Sequence, residues 1–583
     1  MTPRTIADAG AARAGAILGT LVAAGATYAV LSPGSRSTPL VLAASALARA
    51  GKLTLHVVLD ERVAAFVALG LARASGQPCL LFCTSGSAGA HYLPALVEAN
   101  ASDGAIVAIT ADRPARLQGV GAAQTVSQGQ LYGAHVRESV NIGADSDAAH
   151  ARALTAMAVL RALGPTLGPV HINVAFEEPL WLPEVEAPLP TSVAVVRPLP
   201  GPCPALPSEV AARLRECQRP VIVAGAHLQK GDHDAITALA LALGAPVIAD
   251  GASGLREHLS PELVVTTAEA LLRPSAWRDA LTPDLVVRVG RIPTTRTVVE
   301  WLAAVKDAFT VLIDASGRLY DPAGAADVFM ATTVAAATPA LAAASTPAPR
   351  AWSQRWAAAE LSARRAMTPV VSATHWGGAF TLALVTALRE RAAPPPLFVA
   401  SSMAVRELDL VIPVRGEPGS PIPLHVSRGA NGIDGNIATA TGLALAAGGA
   451  VALLGDLAFR HDIGALLTAR ELGARLVLLV IDNGGGGIFE YLPIAAHDDF
   501  TPYFLTPQQS DIAAIARGAG ARVIELESTA AVASAVNEAL SGAGPTVLVA
   551  RTDRADSVAC YRAALTAGAS AAEAALTTMG GAQ

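Results

Sequence analysis

Two polar tips in the last third of the chain carry the residue types for chemistry: Gly455-Asp456-Leu457, ending the apolar run AVALLG, and Asp482-Asn483-Gly484, ending a second apolar run, LVLLVI. An aspartate carboxylate, an asparagine amide oxygen and a backbone carbonyl near Gly485 are the hard oxygen donors that magnesium prefers, with manganese as the alternative ion. Such a set leaves coordination room for phosphate oxygens. The glycine run 484–487 lets the main chain approach a diphosphate closely, and Ile488-Phe489 restart an ordered segment. Either half alone is ordinary turn chemistry, since Gly-Asp and Asp-Asn-Gly are common loop sequences. Their joint occurrence at two successive strand ends is what points to a metal-held diphosphate.

Residues so placed need parallel strands behind them, because open α/β sheets bind ligands at the carboxyl ends of their strands. Such strands are legible. Between about residues 8 and 180, helical stretches alternate with YAVLS at 28–32, LTLHVVL at 53–59, PCLLFCT at 78–84 and AIVAIT at 105–110. A Pro-rich stretch from Pro183 to Pro207 reads as a linker. A second alternating unit holds PVIVAGA at 220–226, PVIADG at 246–251, LVVRVG at 285–290 and FTVLIDA at 309–315, and it ends in an Ala/Pro/Thr-rich tract near 333–350. The third contains PLFVASS, GAVALLGD, ARLVLLVIDN and PTVLVAR. The 583 residues exceed what one core accommodates. The pattern predicts three successive doubly wound α/β domains with mainly parallel sheets, spanning 1–185, 200–345 and 355–583.

Composition excludes several classes. With 52% hydrophobic and 15% charged residues there is ample surface to bury, and a formal charge of −6 without a basic run argues against a nucleic-acid partner. The start, MTPRTIADAG, reads as a helix beginning rather than a signal sequence. Thr439, Thr441, Gly442, Gly448 and Gly449 break the apolar stretch from Ile437 to Leu454, so a buried helix plus a strand explains it better than a membrane span. A cytoplasmic protein is expected. Cys79, Cys83, Cys203, Cys217 and Cys560 lack metal-ligand spacing and read as reduced thiols. Only Lys52, Lys230 and Lys306 are lysine, none in a setting that suggests a Schiff base, and a Walker A pattern is absent. The turn Val223-Ala224-Gly225-Ala226 lacks a dinucleotide fingerprint, which leaves the middle unit a structural or substrate-supporting role.

The spacing of the two tips resembles the thiamine-diphosphate signature, Gly-Asp-Gly followed after a similar interval by Asn-Asn. Here Leu457 replaces the third glycine and Asp482 the first asparagine. Thiamine chemistry also needs a carboxyl group that protonates the aminopyrimidine ring. Glu61, in Asp60-Glu61-Arg62 directly after LTLHVVL, is the candidate; the plainer reading is an exposed acid at a helix N-terminus, favoured by the helix dipole.

A wider set of motifs resembles one family over nearly the whole chain, the 2-succinyl-5-enolpyruvyl-6-hydroxy-3-cyclohexene-1-carboxylate synthases of menaquinone biosynthesis. The set is SPGSRSTPL from Ser32, Asp60-Glu61-Arg62, TSGSA from Thr84, TADRP from Thr110, SRGANGIDG from Ser427, Gly455-Asp456-Leu457 and Ile488-Phe489. Leu457, odd among thiamine enzymes at large, is what this family has at that position. The resemblance implies a transferase that decarboxylates 2-oxoglutarate and adds the four-carbon carbanion to isochorismate. It implies cofactor contacts from Glu61, Ser402, Ile433, Gly455, Asp456, Leu457, Asn483, Gly485, Gly487 and Ile488, with Asp456, Asn483 and Gly485 on the metal. Ile433 resembles the apolar prop beneath a bent cofactor, and plain core packing would explain it nearly as well.

Implied substrate contacts are Ser35, Arg36, Arg113, Gln124, Arg296, Ser402, Arg406, Arg428, Ile488, Phe489 and Leu492. The arginines fit bidentate recognition of carboxylates, although for any single one a surface ion pair is the commoner explanation. Arg296-Thr297 stands where the family often has Lys-Arg, and His91 where Asn is usual. The resemblance further implies at least a homodimer, or a tetramer, in which Glu61 meets the metal motif across a subunit boundary. The rivals are another thiamine enzyme, such as an acetolactate synthase or a 2-oxo acid decarboxylase, and a flavin or nicotinamide oxidoreductase using one of the Gly-rich strand ends.

Overall fold

Strands covered on both faces must be apolar on both, and the sequence runs noted above, LTLHVVL at one edge excepted, form inner strands of three sheets, each of six parallel strands. The computed structural model describes residues 2–185, 205–229, 231–273, 278–305, 307–373, 375–416 and 419–580. Most of the Pro-rich stretch, with Cys203, Lys230 and Lys306, lies outside them.

The first sheet comprises β1 (Tyr28–Leu31), β2 (Thr54–Val57), β3 (Cys79–Cys83), β4 (Ile106–Asp112), β5 (Ser139–Ile142) and β6 (Val170–Ala175), in the order β2-β1-β3-β4-β6-β5. Its strands divide their side chains by the period of two: Leu80 and Phe82 of β3 enter one core, and Cys79, Leu81 and Cys83 enter another. That split is what double winding requires. The second sheet comprises β7 (Pro220–Ala224), β8 (Val247–Ala249), β9 (Val264–Val265), β10 (Leu285–Val289), β11 (Phe309–Ile313) and β12 (Val328–Met330), ordered β12-β11-β10-β7-β8-β9. The third comprises β13 (Leu397–Val399), β14 (Leu424–Val426), β15 (Ala450–Gly455), β16 (Leu476–Asp482), β17 (Arg522–Glu525) and β18 (Thr546–Arg551), ordered β14-β13-β15-β16-β18-β17.

The Ala/Pro/Thr-rich tract contains the helix Val334–Ala344, and the interval expected between the second and third units is partly helical. The helix Arg350–Val371 begins within it, packs along the last helix, Arg554–Gly580, and ties back to the second sheet through Trp352, whose Nε1 donates to the Pro220 carbonyl at 2.8 Å. The stretch 437–454 folds as the helix Asn436–Ala447 followed by β15, as its broken apolar pattern predicts.

The first helix, Pro3–Ala23, is long and apolar enough by composition to cross a membrane. It packs instead against the helix Ala148–Leu163, with Arg13 buried at its middle and donating to the carbonyls of Ser146 (2.9 Å) and Ala175 (3.3 Å). The four cysteines among the described residues are free thiols, Cys560 the least buried.

Candidate functional site

A cavity of about 440 Å³ opens at the carboxyl ends of β13, β15 and β16. Ser402, Arg406, Arg428, Ile433, Gly455, Asp456, Leu457, Asn483, Gly485, Gly487, Ile488 and Phe489 all line it. The fold gathers them because β15 and β16 pair in register, Gly455 beside Ile481, so the two polar tips leave the sheet side by side. Ser402 precedes the helix Met403–Val411 without capping it through its side chain, and holds φ +67° and ψ −132°, a backbone shape rare for any residue but glycine and typical of strained functional turns. Its carbonyl accepts a 2.8 Å hydrogen bond from Arg406 Nη1.

The donor set fits a hard cation. Asn483 Oδ1 is buried and has no hydrogen-bond partner, a costly state for an amide oxygen unless something else meets it. Asp456 faces it across the paired strand ends; its Oδ1 accepts from Leu457 N (2.8 Å) and its Oδ2 from Gly485 N (2.7 Å), each leaving a further lone pair. Burial pushes the Asp456 carboxyl up to about 6, and the negative charge of Asp482 pushes the same way, so a cation would be welcome there. Gly485 holds φ +136°, and a side chain on Gly487 would come within 2.7 Å of the Asn483 amide nitrogen, so neither position has space for one. The Gly485 carbonyl accepts from Gly487 N at 2.8 Å within the same turn. Among the described residues no group of three or more His, Cys, Asp and Glu gathers as a metal site, here or elsewhere, so the donors here are of mixed kind.

A second cavity, about 580 Å³, adjoins the first and shares Met403, Arg406, Ile488 and Phe489 with it. Arg296 and Leu492 lie here, with Glu269, Tyr491 and Tyr561. Arg296 is largely exposed and pairs with Glu300 at 2.6 Å.

The residues expected from the first unit lie apart. Ser35, Arg36, Glu61, Arg113 and Gln124 cluster at the carboxyl ends of β1, β2, β3 and β4, and none lines either cavity. Arg113 Nη1 donates to Ser85 Oγ and to the Gln124 carbonyl, both at 2.6 Å; Gln124, at φ +56°, donates back to the Ser85 carbonyl. Arg36 is buried and held by Glu178 (2.7 Å) and the Phe176 carbonyl (3.2 Å). Half-buried Glu61 opens the helix Glu61–Ser75, which Asp60 caps by accepting from Arg62 N at 2.9 Å. Burial, helped by the charge of Glu61, raises the Cys83 thiol to about 12.

The structure also brings in residues that sequence reasoning passed over. Glu407 follows Arg406 in the helix and lines the first cavity, yet burial pushes its carboxyl up to about 8. Asn431 enters at φ +63°. For Asn431, SRGANGIDG offered a signal; for Glu407 only its adjacency to Arg406 did.

Comparison with known proteins follows the same division. The family model "Thiamine pyrophosphate enzyme, N-terminal TPP binding domain" matches residues 13–131, and "Thiamine pyrophosphate enzyme, C-terminal TPP binding domain" matches residues 418–550. A 2-succinyl-5-enolpyruvyl-6-hydroxy-3-cyclohexene-1-carboxylate synthase of Myxococcus xanthus is 39% identical over 92% of this chain and 94% of its own. The protein of that name from Geobacillus kaustophilus is 37% identical over 96% and 97%. A solved structure of a thiamin diphosphate-dependent enzyme candidate isolated from Mycobacterium smegmatis superposes with a TM-score of 0.68 at 21% identity, covering 93% of this chain and 99% of its own, a likeness of fold.

Proposed function

This chain belongs to the 2-succinyl-5-enolpyruvyl-6-hydroxy-3-cyclohexene-1-carboxylate synthases and is a thiamine-pyrophosphate-dependent transferase of menaquinone biosynthesis, and from that membership we propose how its residues divide the work. The donor is 2-oxoglutarate and the acceptor isochorismate. Thiamine pyrophosphate, when bound, supplies the carbanion chemistry that releases carbon dioxide from the donor and joins the remainder to the acceptor.

Asp456, Asn483 and the Gly485 carbonyl would hold magnesium, which would supply positive charge to the diphosphate. The observation that carries this is the buried, unpartnered Asn483 Oδ1 beside Asp456. Gly455, Leu457, Gly487, Ile488 and Ser402 wall the same cavity, and Ile433, in that wall too, would support the bound cofactor. Glu61 holds a proton against the aminopyrimidine ring. It does so from a second copy of the chain, since within one chain Glu61 lines neither of the two cavities; a homodimer, or a tetramer built from two, is the working form. Arg406 and Arg428 bind donor carboxylate. Arg296, Phe489 and Leu492 face the acceptor, and Ser35, Arg36, Arg113 and Gln124 complete the site from the partner. Arg36 and Arg113 keep unused N–H groups beyond their present bonds. The three units correspond to residues 1–185, 200–345 and 355–583, and the packed first helix suits a cytoplasmic location.

The decisive experiment incubates the protein with thiamine pyrophosphate, magnesium and 2-oxoglutarate, with and without isochorismate. Joined product that forms only with all components is expected, and loss of product on chelation locates the metal requirement. Turnover of pyruvate in preference to 2-oxoglutarate would defeat the substrate assignment.

A further inference from the structure

The joining step leaves a proton to be supplied. In the product the ring keeps one double bond, at C3, with the succinyl group on C2 and the carboxylate on C1. A carbon–carbon bond therefore forms at ring C2 while the C1=C2 π pair moves onto C1, where the carboxylate delocalises it. C1 must then take up a proton. A donor for that step must be neutral at working pH, must face the cavity, and must lie where donor and acceptor meet.

Glu407 is the residue placed for this step. It lines the first cavity next to Arg406, the residue that lines both, and it lies near enough to Tyr491 of the second cavity to push that hydroxyl further up. Its carboxyl oxygens would stand 2.5 and 2.7 Å from a side chain on Gly377, which explains the glycine at the start of the helix Gly377–Arg389. No side chain caps that helix, so the carboxyl approaches its first turn without being used as a cap. Burial alone raises it, to about 8; no hydrogen bond or neighbouring charge offsets the desolvation. The charged and titratable groups around it are few. Its own helix carries Arg406, and Asp409 engaged by Arg256; the short helix Gly487–Tyr491 presents Tyr491; Arg428 stands in the same cavity; Gly377 and Gly378 carry no charge.

We infer that Glu407 is the acid that protonates ring C1 as the new carbon–carbon bond forms, the carboxylate it leaves regaining its proton from water. This rests on the synthase reading above.

Infrared spectra of cofactor-free protein test the protonation state without any turnover: a carboxylic-acid carbonyl band that disappears around pH 8 in the wild type and is missing in Glu407→Gln is expected. With cofactor, magnesium and both substrates, Glu407→Gln loses about a hundredfold in joined product, and at least about tenfold more than it loses in 2-oxoglutarate decarboxylation followed with an artificial electron acceptor. The wild-type rate of joining falls above about pH 8. Glu407→Asp, which keeps the acid, retains that limb; Glu407→Gln lacks it. Equal losses in both half-reactions, or an unchanged joining rate, would overturn the assignment, as would a missing infrared band. Wild-type protein that decarboxylates 2-oxoglutarate but never joins it to isochorismate would sink the synthase reading, and the acid with it, through an arm that does not involve Glu407.

Discussion

Gly70, in the helix that Glu61 opens, and Gly442, in the helix Asn436–Ala447, meet main chain to main chain: a side chain on Gly70 would strike the Thr439 carbonyl, and one on Gly442 the Val67 carbonyl. Two helices with larger residues at the crossing would stand further apart. The first and third units are thereby locked together through the helices Glu61–Ser75 and Asn436–Ala447. Gly442→Ala should cost about 1–3 kcal/mol through overpacking and lower the melting temperature. Gly464→Ala, at a helical position with open space around it, is the control and should be neutral or mildly stabilising. Equal melting temperatures for the two variants would show that the crossing yields without strain.

If the working site combines Glu61 of one chain with Asp456 and Asn483 of another, two dead variants can rescue each other. Glu61→Gln and Asn483→Ala should each fold normally and show at least about a hundredfold less decarboxylation of 2-oxoglutarate. After mixing under conditions that exchange subunits, the mixed dimer contains one site with Glu61 and Asn483 both intact, and activity should return. Activity that stays at the level of the separate variants would place the site within one chain.

How far the sequence could be read follows from burial. β3, β4, β7, β15 and β16 are covered on both faces and spell themselves out as apolar runs. The strands that escape the sequence reading are mostly sheet edges, β5, β9, β12, β14 and β17, which are short or have half-exposed patterns such as that of Arg522–Glu525. β6 escapes for another reason: His171 and Asn173 interrupt its apolar pattern, although both are buried and hydrogen-bonded, His171 to Thr110 at 2.8 Å and Asn173 to Asp112 at 3.0 Å. In the site, residues at the tips of β15 and β16 are legible because strand ends are contiguous in sequence. Glu407 is not, because Arg-Glu within a helix reads as a solvated face, and only the fold shows it inside. The central unit's departure at Arg296-Thr297 leaves one exposed cation, whose present partner is merely Glu300 in the next turn.

Arg406 stands at the junction of the two cavities with one nitrogen committed to the Ser402 carbonyl and its remaining N–H groups free to face a carboxylate. Removing the guanidinium should therefore penalise a dicarboxylic 2-oxo acid more than a monocarboxylic one. For Arg406→Ala, kcat/KM for 2-oxoglutarate should fall by at least about tenfold more than that for pyruvate, the ratio expected for one charged hydrogen-bonded contact. Equal losses for the two acids would assign Arg406 to the cofactor side or to the fold.

His171 makes stability depend on pH in a direction that can be worked out. It is fully buried in β6, packed edge-on against Tyr132 with ring centroids 4.6 Å apart, and burial lowers its pKa from 6.5 to about 4. The unfolded chain binds a proton here below about pH 6.5, whereas the folded chain refuses one until about pH 4. Each step down through that window therefore favours unfolding, and the contribution, up to about 3 kcal/mol, is fully present above pH 6.5 and gone below pH 4. The buried carboxyl of Asp462, raised to about 7, acts oppositely, because the folded state keeps its proton where the unfolded chain releases it. Asp456 and Glu407, also raised by burial, act in the same sense as Asp462, and buried His425, lowered to about 4, acts with His171, so the net slope of the wild type mixes several groups and the informative quantity is a difference. Between pH 6.5 and 4, His171→Gln should lose less melting temperature than the wild type does, while its stability at pH 7 is lower because the Thr110 and Ser139 contacts are altered. Parallel melting curves for the two proteins across that window would show that the imidazole is charged in the folded state after all.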